Sequence, residues 1–339
     1  TRSNNVNTNL NYVYNAGNGT KVNVDVDYGI YRTEVLGSQP NLYFSGKEDI
    51  LDSIVTFRTV APTDIDIFTV KVDHERNIWK GKLETGAKFS LVQTDNDFQF
   101  FNNSGPNIPV EFIDTSRTNR FQYNENVNAA YAIYQRQIKK WNISLGLRAE
   151  QTNFNWELTS LGDQNDTNDS SYFNLFPSGG LTFSPNRTNM IRLNYSRRID
   201  RPKYQDLNPF IFQLDRLTFQ QGNPTLRPQF TDNIQVTYSY KYRYSATLGY
   251  SRTTGFFTRL TDTLGTQASF ISLVNIGSRE VLSLNLSAPV ALTKWWSSYS
   301  NVNISNQRNV GDFNRPGETG KEIDLARTTF NIFQQHTFT

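Results

Sequence analysis

The chain has 339 residues, 37% of them hydrophobic, with 34 basic against 31 acidic side chains and a mean hydropathy of −0.58. A near-neutral balance gives nucleic acid no electrostatic hold. The absence of cysteine excludes disulfide frameworks and thiolate metal sites. Twenty-four Phe and 17 Tyr are too many for a chain that buries nothing, so full disorder is excluded. No stretch approaches the roughly 18 apolar residues of a membrane helix.

In chain order, runs of alternating apolar and polar residues are joined by two kinds of connection. Val22, Val24, Val26, Tyr28 and Ile30 alternate with Lys21, Asn23, Asp25 and Asp27. The same period-2 pattern recurs at Val127–Ile133, Ile143–Ala149, Ile234–Tyr240, Tyr244–Tyr250 and Leu282–Ala288. Successive strand residues face opposite sides, so each run predicts a strand with one apolar and one polar face. Short turns are expected at Asn15–Thr20, His74–Asn77, Lys139–Trp141, Ser184–Arg187, Lys241–Arg243 and Ala291–Trp295. Long polar loops are expected at Glu34–Pro62, Phe100–Thr118, Thr159–Ser171, Ile199–Pro228, Thr261–Ala268 and Asn306–Glu322. Tight turns on one side and long loops on the other are the pattern of a transmembrane β-barrel.

A soluble β-sandwich also alternates, so the aromatics must discriminate. Trp79, Trp141, Trp295 and Trp296 lie at or beside short turns, with Phe183, Tyr240, Tyr242 and Tyr244 at the same level; Trp156 is the exception. Rings with an apolar body and a polar tip favour the membrane–water boundary. The expected fold is all-β: one domain over residues 1–339, an antiparallel up-and-down transmembrane β-barrel. Six turns define twelve strands and Ile323–Thr339 begins a thirteenth. Single-chain bacterial barrels have even counts, so a fragment that does not close alone is expected, one already past any export leader.

The segment Arg192–Arg259 carries a family resemblance. It reads Arg-Leu-Asn-Tyr-Ser-Arg-Arg-Ile-Asp-Arg-Pro at 192–202, Asp-Leu-Asn-Pro-Phe at 206–210 and Gln-Gln-Gly-Asn-Pro-Thr-Leu-Arg-Pro-Gln at 220–229. This resembles the barrel domain of TonB-dependent receptors of the Bacteroidota type, with Gln229 where that family usually has Glu. The resemblance implies a barrel of about 22 strands, of which about 13 are present. It also implies a plug and a TonB-contacting segment N-terminal to this piece, and energised uptake of a siderophore, glycan or peptide across the outer membrane of a Gram-negative bacterium. The implied partners are outer-membrane lipid, TonB through the absent plug, and a surface lipoprotein. A barrel that is a scaffold rather than a transporter, and a soluble carbohydrate-binding β-protein, are the alternatives.

Nothing points to an enzyme or a cofactor: phosphate-cradling Gly loops, Gly-x-Ser-x-Gly and His-Glu-x-x-His are absent. His74 and His336 are far apart in sequence. Asp163–Asp169 lacks the central Gly of a calcium loop, and Asn174 stands where its bidentate Glu belongs. Asp25 and Asp27 read as lumen polarity. Ligand contacts are expected from the loop Ile199–Pro228, at Tyr204, Phe210, Phe212, Arg216 and Phe219. Aromatic faces beside cations suit sugars, catechols or carboxylates. The same aromatics could instead pack the loop into a fixed lid.

Overall fold

The computed structural model describes residues 1–17, 19–45, 50–104, 111–162, 165–209, 211–214, 217–264, 268–313 and 321–338. The first strands are β1 (Arg2–Asn15), β2 (Lys21–Ser45), β3 (Ile50–Ile78), β4 (Gly81–Ser104), the short β5 (Phe112–Ile113), β6 (Asn119–Ile138), β7 (Trp141–Ser160), β8 (Asp166–Phe183) and β9 (Asn189–Asp200). A single helical turn, α1 (Tyr204–Leu207), and the short β10 (Ile211–Gln213) and β11 (Thr218–Gln221) follow. The chain continues with β12 (Gln229–Tyr240), β13 (Tyr244–Leu264), β14 (Ala268–Ala291), β15 (Trp296–Phe313) and β16 (Lys321–Phe338). The long strands form one antiparallel sheet in which each pairs with the next long strand, from β1–β2 through β15–β16. Leaving aside β5, β10 and β11, thirteen long strands are present among the described residues, the expected number.

Register carries the apolar positions into one continuous band. Leu10 faces Val26, Val26 faces Val70, and Val70 faces Phe89. Ala130 faces Ala149, and Leu181 faces Leu193. Leu193 faces Val236, Val236 faces Leu248, and Leu248 faces Leu284. Leu284 faces Ile304, and Ile304 faces Phe330. A one-residue slip anywhere would move a strand's apolar set to the other face, so the band itself fixes register. Many of its members are exposed and the rest half-buried; Leu10 is 69%, Leu145 62% and Leu248 51% accessible. An exposed apolar belt across thirteen strands is far beyond what a water-soluble surface tolerates, and it excludes the soluble carbohydrate-binding reading. Ser144, Arg148, Gln235 and Thr247 fall on the opposite, polar face, as period 2 requires.

Two expectations need correction. The second short turn is at Trp79–Lys80, with Ile78 opposite Gly81; His74 lies within β3, between Val22 and Thr85. Most of the expected long loops are strand. β2 and β3 stay paired out to Ser45 and Ile50, and β7 and β8 out to Leu158 and Asp166. A bilayer needs only about 9–11 residues per strand, whereas β3 has 29, so the hairpins project well beyond the belt.

The facing inverts where they project. In β7 the belt side runs Ile143, Leu145, Leu147, Ala149 and then Gln151, Asn153, Asn155, Glu157. The other side is polar up to Glu150 and then carries Phe154, Trp156 and Leu158. In β6, Gln122 and Asn124 continue the belt side while Phe121 and Tyr123 are buried behind them; in β4, Phe98 and Phe100 are buried. Above the membrane the outer face meets water and the inner face meets protein, so the apolar phase changes sides. His74 and His336 sit on β3 and β16, which are not neighbours; Trp296 Nε1 donates to His336 Nδ1 at 3.2 Å. Asp163 lies outside the described residues, Asp166–Asp169 begins β8, and Asn174 faces Glu150.

Candidate functional site

The connection from β9 to β12 forms a strap over the inner face of the long-loop end. It starts where Arg201 leaves β9. Arg201 Nη2 donates to Glu150 Oε2 at 2.7 Å and to Thr152 Oγ1 at 2.9 Å, and its Nε donates to Tyr172 Oη at 3.0 Å. Arg148 Nε binds the other Glu150 oxygen at 2.5 Å. Glu150 and Thr152 are buried. A buried charge must be paired and hydrogen-bonded, and here Glu150 is paired by Arg148 of its own strand and by Arg201 of the strap. Burial works most strongly against the Arg201 charge, but the hydrogen bonds and charges of Glu150 and Tyr172 together outweigh it, and the guanidinium is held above its ordinary range.

Beyond the lock, Lys203 N donates to Asp206 Oδ2 at 3.1 Å and Asp206 N to Lys203 O at 2.9 Å, closing the α1 turn. α1 places Leu207 into a buried cluster with Phe121, Tyr123, Trp156, Leu158 and Leu226, against which Tyr204 packs. The Tyr204 hydroxyl hydrogen-bonds Thr63 of β3, and burial pushes it above its ordinary range. β10 and β11 pair as a small hairpin, and β11 adds in parallel to β14, with Phe219 opposite Phe270. At the hairpin tip Gln39 Nε2 of β2 donates to Leu214 O at 3.2 Å.

The return leg is held just as firmly. Asn223 N donates to Asp206 O at 2.7 Å, and Asn223 Nδ2 to Leu273 O of β14 at 3.1 Å. The Asn275 side chain receives Arg227 N at 2.9 Å and donates to Arg227 O at 3.0 Å and to Gly255 O at 2.7 Å. Gly255, at φ +65°, sits at the β13–β14 irregularity, where the bulge turns its carbonyl towards Asn275. Gly222 lies against Asn208; a Cβ there would stand 2.3 Å from the Asn208 carbonyl oxygen. Gln229 Nε2 donates to Asp200 Oδ2 at 2.9 Å, and its Oε1 accepts from Phe257 N at 3.3 Å. An amide makes both bonds; a carboxylate there would oppose Asp200.

One connection thus touches β2, β3, β7 and β8 from the inner side of the sheet and pairs with the edge of β14. β2 and β14 lie near opposite ends of the strand order, so the sheet curls around the strap and the strap crosses the barrel mouth.

Of the expected contact residues, Tyr204 is held in the cluster and Phe219 in the β11–β14 pairing. Phe212 lies in β10 opposite Gln220. Phe210 and Arg216 lie outside the described residues. The reading from sequence did not include Glu150, Thr152, Tyr172 or Asn275 in this site. They lie 29 or more positions from the strap residues they bind, and only the ladder brings them together.

Comparison with known proteins agrees with this architecture. No curated protein matches the chain. Among solved structures, the siderophore receptor PiuA from Acinetobacter baumannii superposes with a TM-score of 0.59 at 14% identity, over 95% of this chain and 49% of that one. The ferric-catecholate import receptor Fiu from E. coli K12 gives 0.59 at 13% identity, over 90% and 47%. The RagAB peptide transporter gives 0.52 at 13% identity, over 95% and 37%. The chain spans about half the length of the first two. The fold is that of the receptor barrels which Arg192–Arg259 resembles. The outer membrane protein beta-barrel family matches residues 14–339. With the exposed belt and the antiparallel wall already established, the chain belongs to that family and is part of an outer-membrane β-barrel of a Gram-negative bacterium.

Proposed function

We propose that this chain is barrel wall of a TonB-dependent receptor that imports a bulky ligand, and that the strap Arg201–Pro228 carries ligand contacts at the mouth. The observation that carries the reading is the crossing strap: a polar-walled barrel whose mouth is spanned by an aromatic, cation-bearing connection suits capture followed by gated passage. The likeness of fold to receptors for a siderophore and a ferric catecholate, and to a peptide transporter, supports it. Siderophore, peptide and glycan are all compatible with rings beside cations. Phe210, Phe212, Arg216 and Phe219 are the proposed contacts. Tyr204, already packed against the buried cluster, contributes by holding the strap.

The test replaces Phe210–Leu217 of the full receptor with a short Gly-Ser linker. This leaves α1, Leu207 and the Arg201 lock in place. Surface expression and heat-resistant migration of the barrel report folding. The expected result is loss of ligand binding with the barrel intact; unchanged uptake removes the strap from the binding site.

A further inference from the structure

Five of the six short connections of the barrel are basic. They carry Lys80, Lys139, Lys140, Arg187, Lys241, Arg243 and Lys294, and no acidic residue. All seven are exposed, and none joins an ion pair among the described residues. The outer face of the projecting end is of mixed charge, with Asp64, Asp66 and Asp95 ion-paired to Arg32 and Arg120.

Backbone geometry adds an independent observation. Among the described residues, the non-Gly positions with positive φ are Trp79 (52°), Lys80 (60°), Lys139 (52°), Lys241 (52°) and Tyr242 (54°). All lie in short turns. Two-residue hairpin turns of this kind favour Asn and Gly, which reach positive φ at little cost. Here the positions hold a Trp, a Tyr and three Lys, so the backbone is strained in order to present those side chains. Backbone strain of this kind marks function.

The side chains stand at the edge of the lipid-facing belt. Trp79 is 73% and Tyr242 71% exposed. Trp141 stacks on Phe183 at 4.2 Å, and Trp295 stacks on Trp296 at 6.2 Å. Such rings settle at headgroup level. A Lys or Arg beside them lays its stem on apolar surface and keeps its charge in the polar layer, where the opposite charge is a lipid phosphate. The cations are spread turn by turn around a rim between aromatic rings. This matches many separate headgroups better than the continuous face a polypeptide needs.

We propose that the short-turn rim is a collar that binds the phosphodiester headgroups of anionic phospholipids in the leaflet it contacts. It selects them over zwitterionic lipids through these seven cations.

The test uses the full-length protein in mixed micelles, measuring retention of fluorescent phosphatidylglycerol against phosphatidylcholine. Wild type should retain phosphatidylglycerol preferentially and lose the preference at high salt. K139Q/K140Q and K241Q/R243Q should each lower its retention roughly tenfold and leave phosphatidylcholine unchanged. W79N/K80G relieves strain in one turn. It should raise the unfolding temperature while lowering phosphatidylglycerol retention, a pair of effects that misfolding cannot produce. Equal retention of the two lipids, or double variants that behave as wild type, overturns the proposal. So does displacement of the lipid by millimolar glycerol phosphate, which would make the rim a site for free phosphate. Poly-glutamate binding without any lipid preference, lost in the same variants, would assign the rim to an acidic polypeptide and also overturn it.

Discussion

Two residues account for most of how the strap is anchored. Glu150 is 8% exposed and Arg201 24%, and removing Arg201 leaves Glu150 Oε2 and Thr152 buried without their donor, with Arg148 as the remaining cation on Glu150. Arg201→Ala should therefore cost about 2 kcal/mol, measured by denaturant unfolding in detergent, with faster hydrogen exchange across Tyr204–Leu226. If exchange there stays slow, the lock does not hold the strap. Gln229 gives a subtler case. Gln229→Glu sets a carboxylate against Asp200 and should lower stability by up to ~1 kcal/mol; adding Asp200→Asn should restore it. The Gln at 229 was legible as a departure from the family's pattern, but not why it suits this chain. Asp200 and Phe257 N, which decide that, come from the neighbouring strands β9 and β13.

At the scale of elements, the strap is a small fold inside a larger one. Gly222 is where its two legs touch. Gly222→Ala would press a methyl group into the Asn208 backbone, which cannot yield as a side-chain tip can. Its expected effect is loss of protease resistance in Arg201–Pro228 with the barrel still heat-resistant; wild-type resistance would show that the legs separate freely. The hairpins teach a different lesson. Between Trp141 and Ser160 the apolar phase passes from odd to even positions, Leu145 and Leu147 giving way to Phe154, Trp156 and Leu158. Read for one period throughout, the upper half looks like polar loop, whereas read for a change of phase it is a strand leaving the membrane. The second turn was misplaced because His-Glu-Arg-Asn looks like a turn in composition while Trp79–Lys80 does not. The aligned belt imposes the register that puts the reversal there.

For the whole molecule, the belt makes a direct claim about solvent. Leu145→Arg places a charge in hydrocarbon at mid-belt and should cost roughly 2–4 kcal/mol, whereas Thr247→Arg, on the polar face, should cost far less. Reversible unfolding into lipid vesicles measures both. Equal costs would show that the two faces meet the same medium. Charge is divided along the axis as well, with cations at the turns that are unpaired among the described residues and acid–arginine ion pairs on the projecting hairpins.

By itself the sequence determined the class of fold, the facing of the membrane strands, the aromatic rim and the family. All of these rest on period-2 alternation, on short-range spacing or on a contiguous motif, and the physics involved is local. Only the tertiary structure decided that the long connections are projecting hairpins, that Ile199–Pro228 crosses the mouth, and that Glu150, Thr152, Tyr172 and Asn275 hold it there. Those facts depend on which strands lie side by side and in what register. Register is set collectively, by an apolar belt that must run unbroken across thirteen strands, and no single segment carries it.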